Sequence, residues 1–478
     1  MLRAMLAATA LTCLTSPTLA QSTSDGPQDS AARSAQSDTL WTNANRDALR
    51  KELTERARHG LDHIAFLPTD VDQRSKAKME QAYNQAALDY AQALAVGVVD
   101  PSSLHHVYTV ARPVVELAEP LRTALRNGHL GQWLDGLPPG DNEYKLLSQA
   151  YLAASRDTAE RIATIAPGKS IHVGDVSSRV PMIAGQLVDD GYLAKRSESV
   201  PSDLYSQEVA DAVKALQRDY GIKADGIVGS DTLGVLTLGP GDRARTFAVG
   251  LERRRWLSRT PPATRIDVNT AAAELRYFRD GQLVDRRRVI VGEPDRETPP
   301  LGSPIYRLVA NPTWTVPKSI AVSSATVRAK NMRRVNGYWV QPSGPDNALG
   351  LVKFDMKNNQ AIYLHDTAAP ELFARSQRHL SHGCVRVQDA LGFAAMLAEQ
   401  EGVGEAWAKA HESGNYEIVD LPRELPVRLL YHNAFVGDDG QASIRTDPYG
   451  WNDAVARKLG FADANTRHAK AEAIDIGP

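Results

Sequence analysis

Apolar positions recur at helical spacing through the first third of the chain. Leu49, Leu53 and Ala57 lie four apart before Gly60, and Met79, Tyr83, Ala86, Tyr90 and Leu94 lie three or four apart before Gly97. Leu117, Leu121 and Leu125 repeat the stripe before Gly128, and Tyr144, Leu147 and Tyr151 begin another. Such a stripe buries one face of a helix and a glycine ends it, so residues 39–167 are predicted to be a helical domain. In residues 168–240 the runs shorten. Val180, Ile183 and Leu187 give one helix ended by Gly191, and Val209, Ala212, Val213, Leu216 and Tyr220 give a second. Asp225-Gly226 reads as a turn, with Ser230 expected to cap a third short helix. After Pro240 the period turns towards strands, over Arg265–Val268, Glu274–Phe278, Gln282–Val291, Tyr338–Val340, Ala361–Leu364 and Pro426–Tyr431. Arg279-Asp280-Gly281 reads as a hairpin turn, and Gln388–Gln400 is the one clear helix there. Residues 241–450 are therefore expected to form a closed or sandwich-like β domain. The whole chain reads as a multidomain α+β protein.

Both ends look different. Met1 and Arg3 precede an apolar run from Ala4 to Leu14, and Thr18-Leu19-Ala20 offers a small-x-small cleavage site. Residues 1–20 read as a secretory signal peptide, which predicts export to the periplasm or cell envelope. Residues 21–38 are rich in Ser, Gln, Asp and Gly and read as a disordered linker; residues 451–478 read as a C-terminal tail. No later stretch approaches the ~20 apolar residues of a membrane span. Composition adds exclusions. With 55 Lys plus Arg against 57 Asp plus Glu, the net charge of −2 argues against a nucleic-acid partner. The two cysteines, Cys13 and Cys384, cannot build a disulfide scaffold or a four-thiolate metal site. Cleavage of the signal peptide leaves Cys384 alone, and a lone thiol in an oxidising compartment needs a reason.

The reason is offered by its neighbours. His365-Asp366 is followed by the fourteen residues Thr367–Leu380 and then by Ser381-His382-Gly383-Cys384-Val385-Arg386-Val387. A cysteine nucleophile acts as thiolate and needs a base for its proton. His382, two residues before Cys384, and His365, at the end of a predicted strand, are both candidates. Gly383 lets a substrate carbonyl approach the backbone, and the amide of Cys384, with a neighbouring amide, is expected to face an oxyanion. These features suggest acyl transfer through a thioester. No metal-ligand set or cofactor motif is visible.

This pattern resembles the active-site signature of bacterial L,D-transpeptidases. Gly174-Asp175, Arg179-Val180, Gly191-Tyr192-Leu193, Ala212–Gln217 and Asp225–Gly229 resemble a peptidoglycan-binding type 1 module. The order of helical scaffold, module and catalytic domain is similar to that of the large scaffold-bearing branch. Leu251–Trp256, Asn311-Pro312-Thr313-Trp314, Asn347–Gly350 and Ile362–Thr367 look like family landmarks. The resemblance implies that Cys384 is the nucleophile, His365 its general base holding the thiolate at low pH, and His382 a supporting residue. It implies further that Gly383 and Cys384 supply the oxyanion amides and that Tyr363, His382 and Arg386 line the site; Tyr363, Arg386, Asp366, Ser381 and Trp339 are expected to bind substrate. Arg386 stands where shorter members carry Asn, and Ser319–Gln341 is a shorter, basic version of the family lid. The implied partners are peptidoglycan stem peptides and glycan strands, with carbapenem-type β-lactams as acylating inhibitors. The implied reaction is cross-linking of stem peptides. A carboxypeptidase or D-amino-acid exchange through the same thioester, and a non-catalytic wall-binding protein, are the alternatives.

Overall fold

Five helices open the chain: α1 (Asn43–Thr54), α2 (Lys76–Val96), α3 (Ala118–Asn127), α4 (Leu130–Asp135) and α5 (Asn142–Arg156). Thr42 caps α1 by accepting the Asn45 N–H at 3.2 Å. Leu49, Tyr83, Tyr90, Leu121, Leu147 and Tyr151 are fully or nearly buried in one core, as the stripe spacing predicts. The computed structural model describes residues 39–156, 165–194 and 203–462, apart from 319, 321 and 438. The expected signal peptide, and the linker up to residue 38, lie outside the described residues, as does 463–478.

The helical core is completed from far along the chain. Helix α6 (Val180–Asp189), α7 (Gln207–Asp219) and α8 (Ser230–Leu236) form the module, and α9 (Pro240–Arg255) follows. Ala244, Phe247, Ala248 and Leu251 of α9 pack into the core of α1–α5. So do Val455, Ala456 and Leu459 around the helix Asn452–Lys458, tied to α9 by Arg245 and Asp453 at 2.6 Å. Residues 451–462 are therefore folded and not a tail, and the strand domain does not begin at residue 241. Helix α9 ends in Arg253-Arg254-Arg255, and its inward face includes the buried Glu252 and Arg255, so its pattern was not apolar enough to read. The module's own core gathers Val180, Ile183, Tyr205, Val209, Val213 and Leu216. Ser230 does not cap α8: it is the helix's first residue, Gly229 precedes it without a side-chain cap, and the hydroxyl donates to Asp231 instead.

The strands follow in chain order as β1 (Arg265–Asn269), β2 (Glu274–Arg279), β3 (Gln282–Gly292), β4 (Leu301–Gly302), β5 (Ile305–Ala310) and β6 (Trp314–Thr315). Next come β7 (Arg333–Val335), β8 (Tyr338–Gln341), β9 (Val352–Met356), β10 (Leu364–His365), β11 (His379–Ser381) and β12 (Val385–Val387), then β13 (Glu417–Leu425) and β14 (Val427–Leu430). The main sheet runs β13-β5-β9-β10-β12-β3-β2-β1-β14-β4, with β11 added beside β3. Ile266, Leu275, Val289, Phe354, Leu364, Val385 and Val387 fill its inner face, against Phe393, Ala394 and Leu397 of the helix Ala390–Gln400. A second helix, Gly404–Glu412, was not predicted; it also packs here through Trp407 and Ala410.

The expected lid is a small folded unit. Strands β6, β8 and β7 pair as a separate sheet, and Ser323 caps the helix Ser324–Ala329 through the Thr326 N–H at 3.0 Å. Trp314, Val316, Met332 and Leu349 are its core, with Trp339 and Tyr363 at the rim. The segment 322–341 therefore rests on its own hydrophobic support rather than as a bare loop.

Candidate active site

Strand β10 is two residues long and is flanked on both edges. Leu364 pairs with Val385 and His365 with Arg386 in parallel register; on the other edge Leu364 pairs with Phe354 and His365 with Lys353. Side chains alternate along a strand, so Leu364, Val385 and Phe354 fill the core while Lys353, His365 and Arg386 share the opposite face. His365 thus lies between two cations. It is fully buried, with the backbone of Asp366 and Leu349 beside the ring. Burial, and then Arg386, lower its pKa to about 3, so the imidazole is neutral at physiological pH.

Cys384 follows the turn that leaves β11. Its thiol is 8% exposed and donates to the Ala361 carbonyl at 3.6 Å. Burial pushes the thiol above its ordinary pKa, and the Tyr363 backbone, the Tyr363 hydroxyl, Lys353 and Arg386 only partly offset it. The expected thiolate held at low pH is therefore not the resting state: desolvation outweighs the two cations. Tyr363 joins the two groups. Its ring centroid is 5.6 Å from that of His365, the Lys353 ammonium sits 4.3 Å from the ring centre, and its hydroxyl pairs with Cys384.

The turn Ser381–Cys384 is braced from within. Ser381 is fully buried; its hydroxyl donates to the Cys384 carbonyl at 2.5 Å and accepts the Gly383 N–H at 3.2 Å. The expected substrate contact by Ser381 gives way to a bracing role, and the Gly383 amide is spent on Ser381 in this arrangement. Gly383 has φ +112°, where a side chain would be strained, and its carbonyl accepts the Thr298 hydroxyl at 2.8 Å. Asp366 also braces rather than faces the site: its carboxylate accepts the Leu351 N–H at 2.9 Å, and burial raises its pKa. Arg386 is fully buried beneath the site, and burial lowers its pKa to about 10. His382, two residues before Cys384, is half-buried, and Trp339 is half-buried on the lid.

Four contributors escaped the sequence reading. Lys353 reaches the site only through the register of β9. Thr298 reaches it across the end of β3. Ala361, at φ +56°, aims its carbonyl at the thiol, and Asn358 holds it there. The Asn358 side chain accepts the Gln360 and Ile362 N–H groups, both at 3.1 Å, and donates to the Ile362 carbonyl at 2.8 Å. The Asn358-Asn359 pair was a turn signal that could have marked this loop. His379, five residues before Cys384 on β11, is a buried structural residue: its Nε2 meets the Thr270 carbonyl at 2.9 Å.

Comparisons with known proteins agree with the order of the three regions. Residues 33–150 match the "Scaffold domain" model, residues 177–236 the "Putative peptidoglycan binding domain" model, and residues 263–405 the "L,D-transpeptidase catalytic domain" model. The third match contains His365, Cys384 and Arg386. The resemblance read from the sequence holds in all three regions. A Haemophilus influenzae protein named "Putative L,D-transpeptidase" is 30% identical over 234 residues, covering 42% of this chain and 46% of that protein. The match thus spans less than half of the relative's length. Two solved structures are more distant. An L,D-transpeptidase from Stackebrandtia nassauensis shares 14% identity over 55% of this chain and 97% of that one, with a TM-score of 0.22. One from Mycobacterium smegmatis shares 12% over 35% and 58%, with a TM-score of 0.21.

Proposed function

We propose that this chain is an exported L,D-transpeptidase that cross-links peptidoglycan stem peptides through a thioester on Cys384. The observation that carries the reading is a protonated, buried thiol and a buried neutral imidazole where β10 and β12 pair, with Tyr363 in contact with both. A neutral imidazole can accept a proton, and a thiol must lose one to attack.

In the first half-reaction the Cys384 Sγ attacks the carbonyl that follows the L-centre of a diamino acid in the donor stem. His365 takes the thiol proton as the C–S bond forms. Lys353 and Arg386 favour the developing negative charge. The peptide C–N bond breaks, the proton passes from His365 to the leaving nitrogen, and the terminal D-residue departs. In the second half an amine of another stem attacks the thioester carbonyl, gives its proton to His365 and expels Sγ, which is reprotonated. One peptide bond replaces another, so no ATP is consumed. Water in place of the amine would give a carboxypeptidase by the same steps. The same thiol is open to acylation by carbapenem-type β-lactams.

The test is intact-mass analysis with purified stem peptides. The wild type should gain the mass of an acyl group and then yield cross-linked dimers. Cys384→Ala should show neither while keeping its fold by circular dichroism. Dimers formed by Cys384→Ala at the original rate would overturn the reading; tripeptide as the sole product would assign the carboxypeptidase.

A further inference from the structure

A cleft of about 930 Å³ separates the module from the strand domain. Its walls carry Arg218 and Lys223 from the module and Arg288, Arg375, Arg378 and Arg445 from the strand domain. Against these six cations stand two carboxylates, Asp225 and Asp231, both already engaged. Asp225 accepts the Ile227 N–H at 2.9 Å and the Gln217 side chain at 3.2 Å, and Asp231 accepts the Ser230 hydroxyl at 3.0 Å. Arg378 is committed to the fold, donating to the carbonyls of Ala273, Val289 and Arg375. Arg218 and Arg375 are exposed, and no hydrogen bond or ion pair among the described residues fixes either guanidinium.

The two walls are held together. Ser376 accepts the Ala224 N–H at 2.9 Å and donates to the Ile222 carbonyl, so the module grips the segment 374–378 directly. The Tyr220 carbonyl accepts the Thr446 N–H at 3.1 Å. The same segment continues through Leu380, on the cleft wall, into Ser381 and the nucleophile's turn. A preformed cationic cleft on the chain that leads into the catalytic turn is suited to a ligand that carries several carboxylates and extends towards that turn. Arginine forks fit carboxylates bidentately.

We propose that this cleft binds the carboxylate-bearing stem peptide of a peptidoglycan strand, so that module and catalytic domain form one composite site rather than an anchor and a separate enzyme. The proposal rests on the transpeptidase reading for the identity of the peptide. Its test uses full-length protein carrying Cys384→Ala, which binds without turning over, and a stem peptide bearing a photoreactive group. Labels are expected on 218–232 and 372–380. The charge reversal Arg218→Glu with Arg375→Glu should weaken the peptide at least tenfold, and Arg218→Lys with Arg375→Lys should restore most of the loss. Amidation of the peptide's carboxylates should weaken it equally. Unchanged affinity in the reversed variant, equal binding of the amidated peptide, equal binding of a glycan fragment without peptide, or labels confined to the lid and 381–386 would each overturn the proposal. Both arginines are exposed, so a melting curve like that of the parent checks the fold. Thioester formation is read separately in protein with Cys384 intact: its absence would sink the transpeptidase reading alone, and unchanged affinity would sink the cleft alone.

Discussion

Burial and two cations pull the Cys384 thiol in opposite directions. Lys353 and Arg386 favour the thiolate, but desolvation is the larger effect and raises the pKa. The same cations and the same burial disfavour the imidazolium of His365. Both groups therefore rest neutral, and in the proposed reaction proton transfer waits for the substrate. Alkylation of the thiol should have its midpoint above the ~8.5 of a free cysteine. His365→Ala should leave that midpoint where it is, yet slow acylation by ~10²–10⁴-fold, the usual worth of a general base. A titration of iodoacetamide reactivity alongside acylation rates checks this; a midpoint that rises in His365→Ala would reveal a thiolate–imidazolium pair instead. His382→Ala should cost less than His365→Ala, because its ring adjoins the turn rather than sharing the face of Lys353 and Arg386. Asn358 acts through the Ala361 loop. Asn358→Ala removes three local hydrogen bonds and should slow acylation by about 10²-fold through a displaced thiol partner, with little change in melting temperature. A large loss of stability with normal acylation would refute that role.

Helix α9 shows what one element can hold. Glu252 accepts the Val99 N–H at 2.8 Å, the Trp256 indole N–H at 3.1 Å and the Arg255 guanidinium at 2.7 Å. Arg255 also donates to the His59 carbonyl at 2.8 Å and the Tyr144 hydroxyl at 2.9 Å. Both charges are fully buried. Such a pair contributes little over a good apolar substitute, but removing one partner strands the other charge. Glu252→Ala should destabilise by about 3–5 kcal/mol, read as a shift in the denaturant midpoint. A shift near zero would mean that water reaches Arg255. Because α9 joins the helical core to the strand domain, this loss should appear as one cooperative transition and not as melting of the N-terminal helices alone.

Over the whole molecule, burial has left several histidines neutral. The pKa values of His59 and His365 fall to about 3 and those of His105 and His379 to about 4, in each case chiefly through desolvation. In the unfolded chain each returns to ~6.5. Between those values the unfolded state binds protons that the folded state refuses, so stability falls as pH drops. Each histidine contributes up to ~1.4 kcal/mol per pH unit within its window. Thermal melts should therefore be flat between about pH 7 and 8 and drop steeply from about pH 6.5 towards 4. A melting temperature that is the same at pH 7 and pH 5 would contradict the neutral, buried state of these rings.

The sequence by itself determined the elements with clean periods. The amphipathic stripes of α1, α2, α3 and α5 and the long strands β1 to β3 are legible because each buries one face and repeats every 3.6 or 2 residues. It also displays the candidate pair, since a lone cysteine in the block Ser381-His382-Gly383-Cys384 behind His365 is a chemical pattern carried by local order alone. Only the tertiary structure decided the rest. Helix α9 and the segment 451–462 belong to the helical core because residues some 200 positions apart meet there, and their charged faces are satisfied by partners no local window contains. Lys353, Thr298 and Ala361 join the site through strand register and a left-handed turn, neither of which leaves a period to read. Ser381 and Asp366 look like ligands for substrate in the sequence, but the fold spends their oxygens on its own backbone. The protonation state of the site was decided last, because desolvation depends on everything packed around a group and not on the residues beside it in the chain.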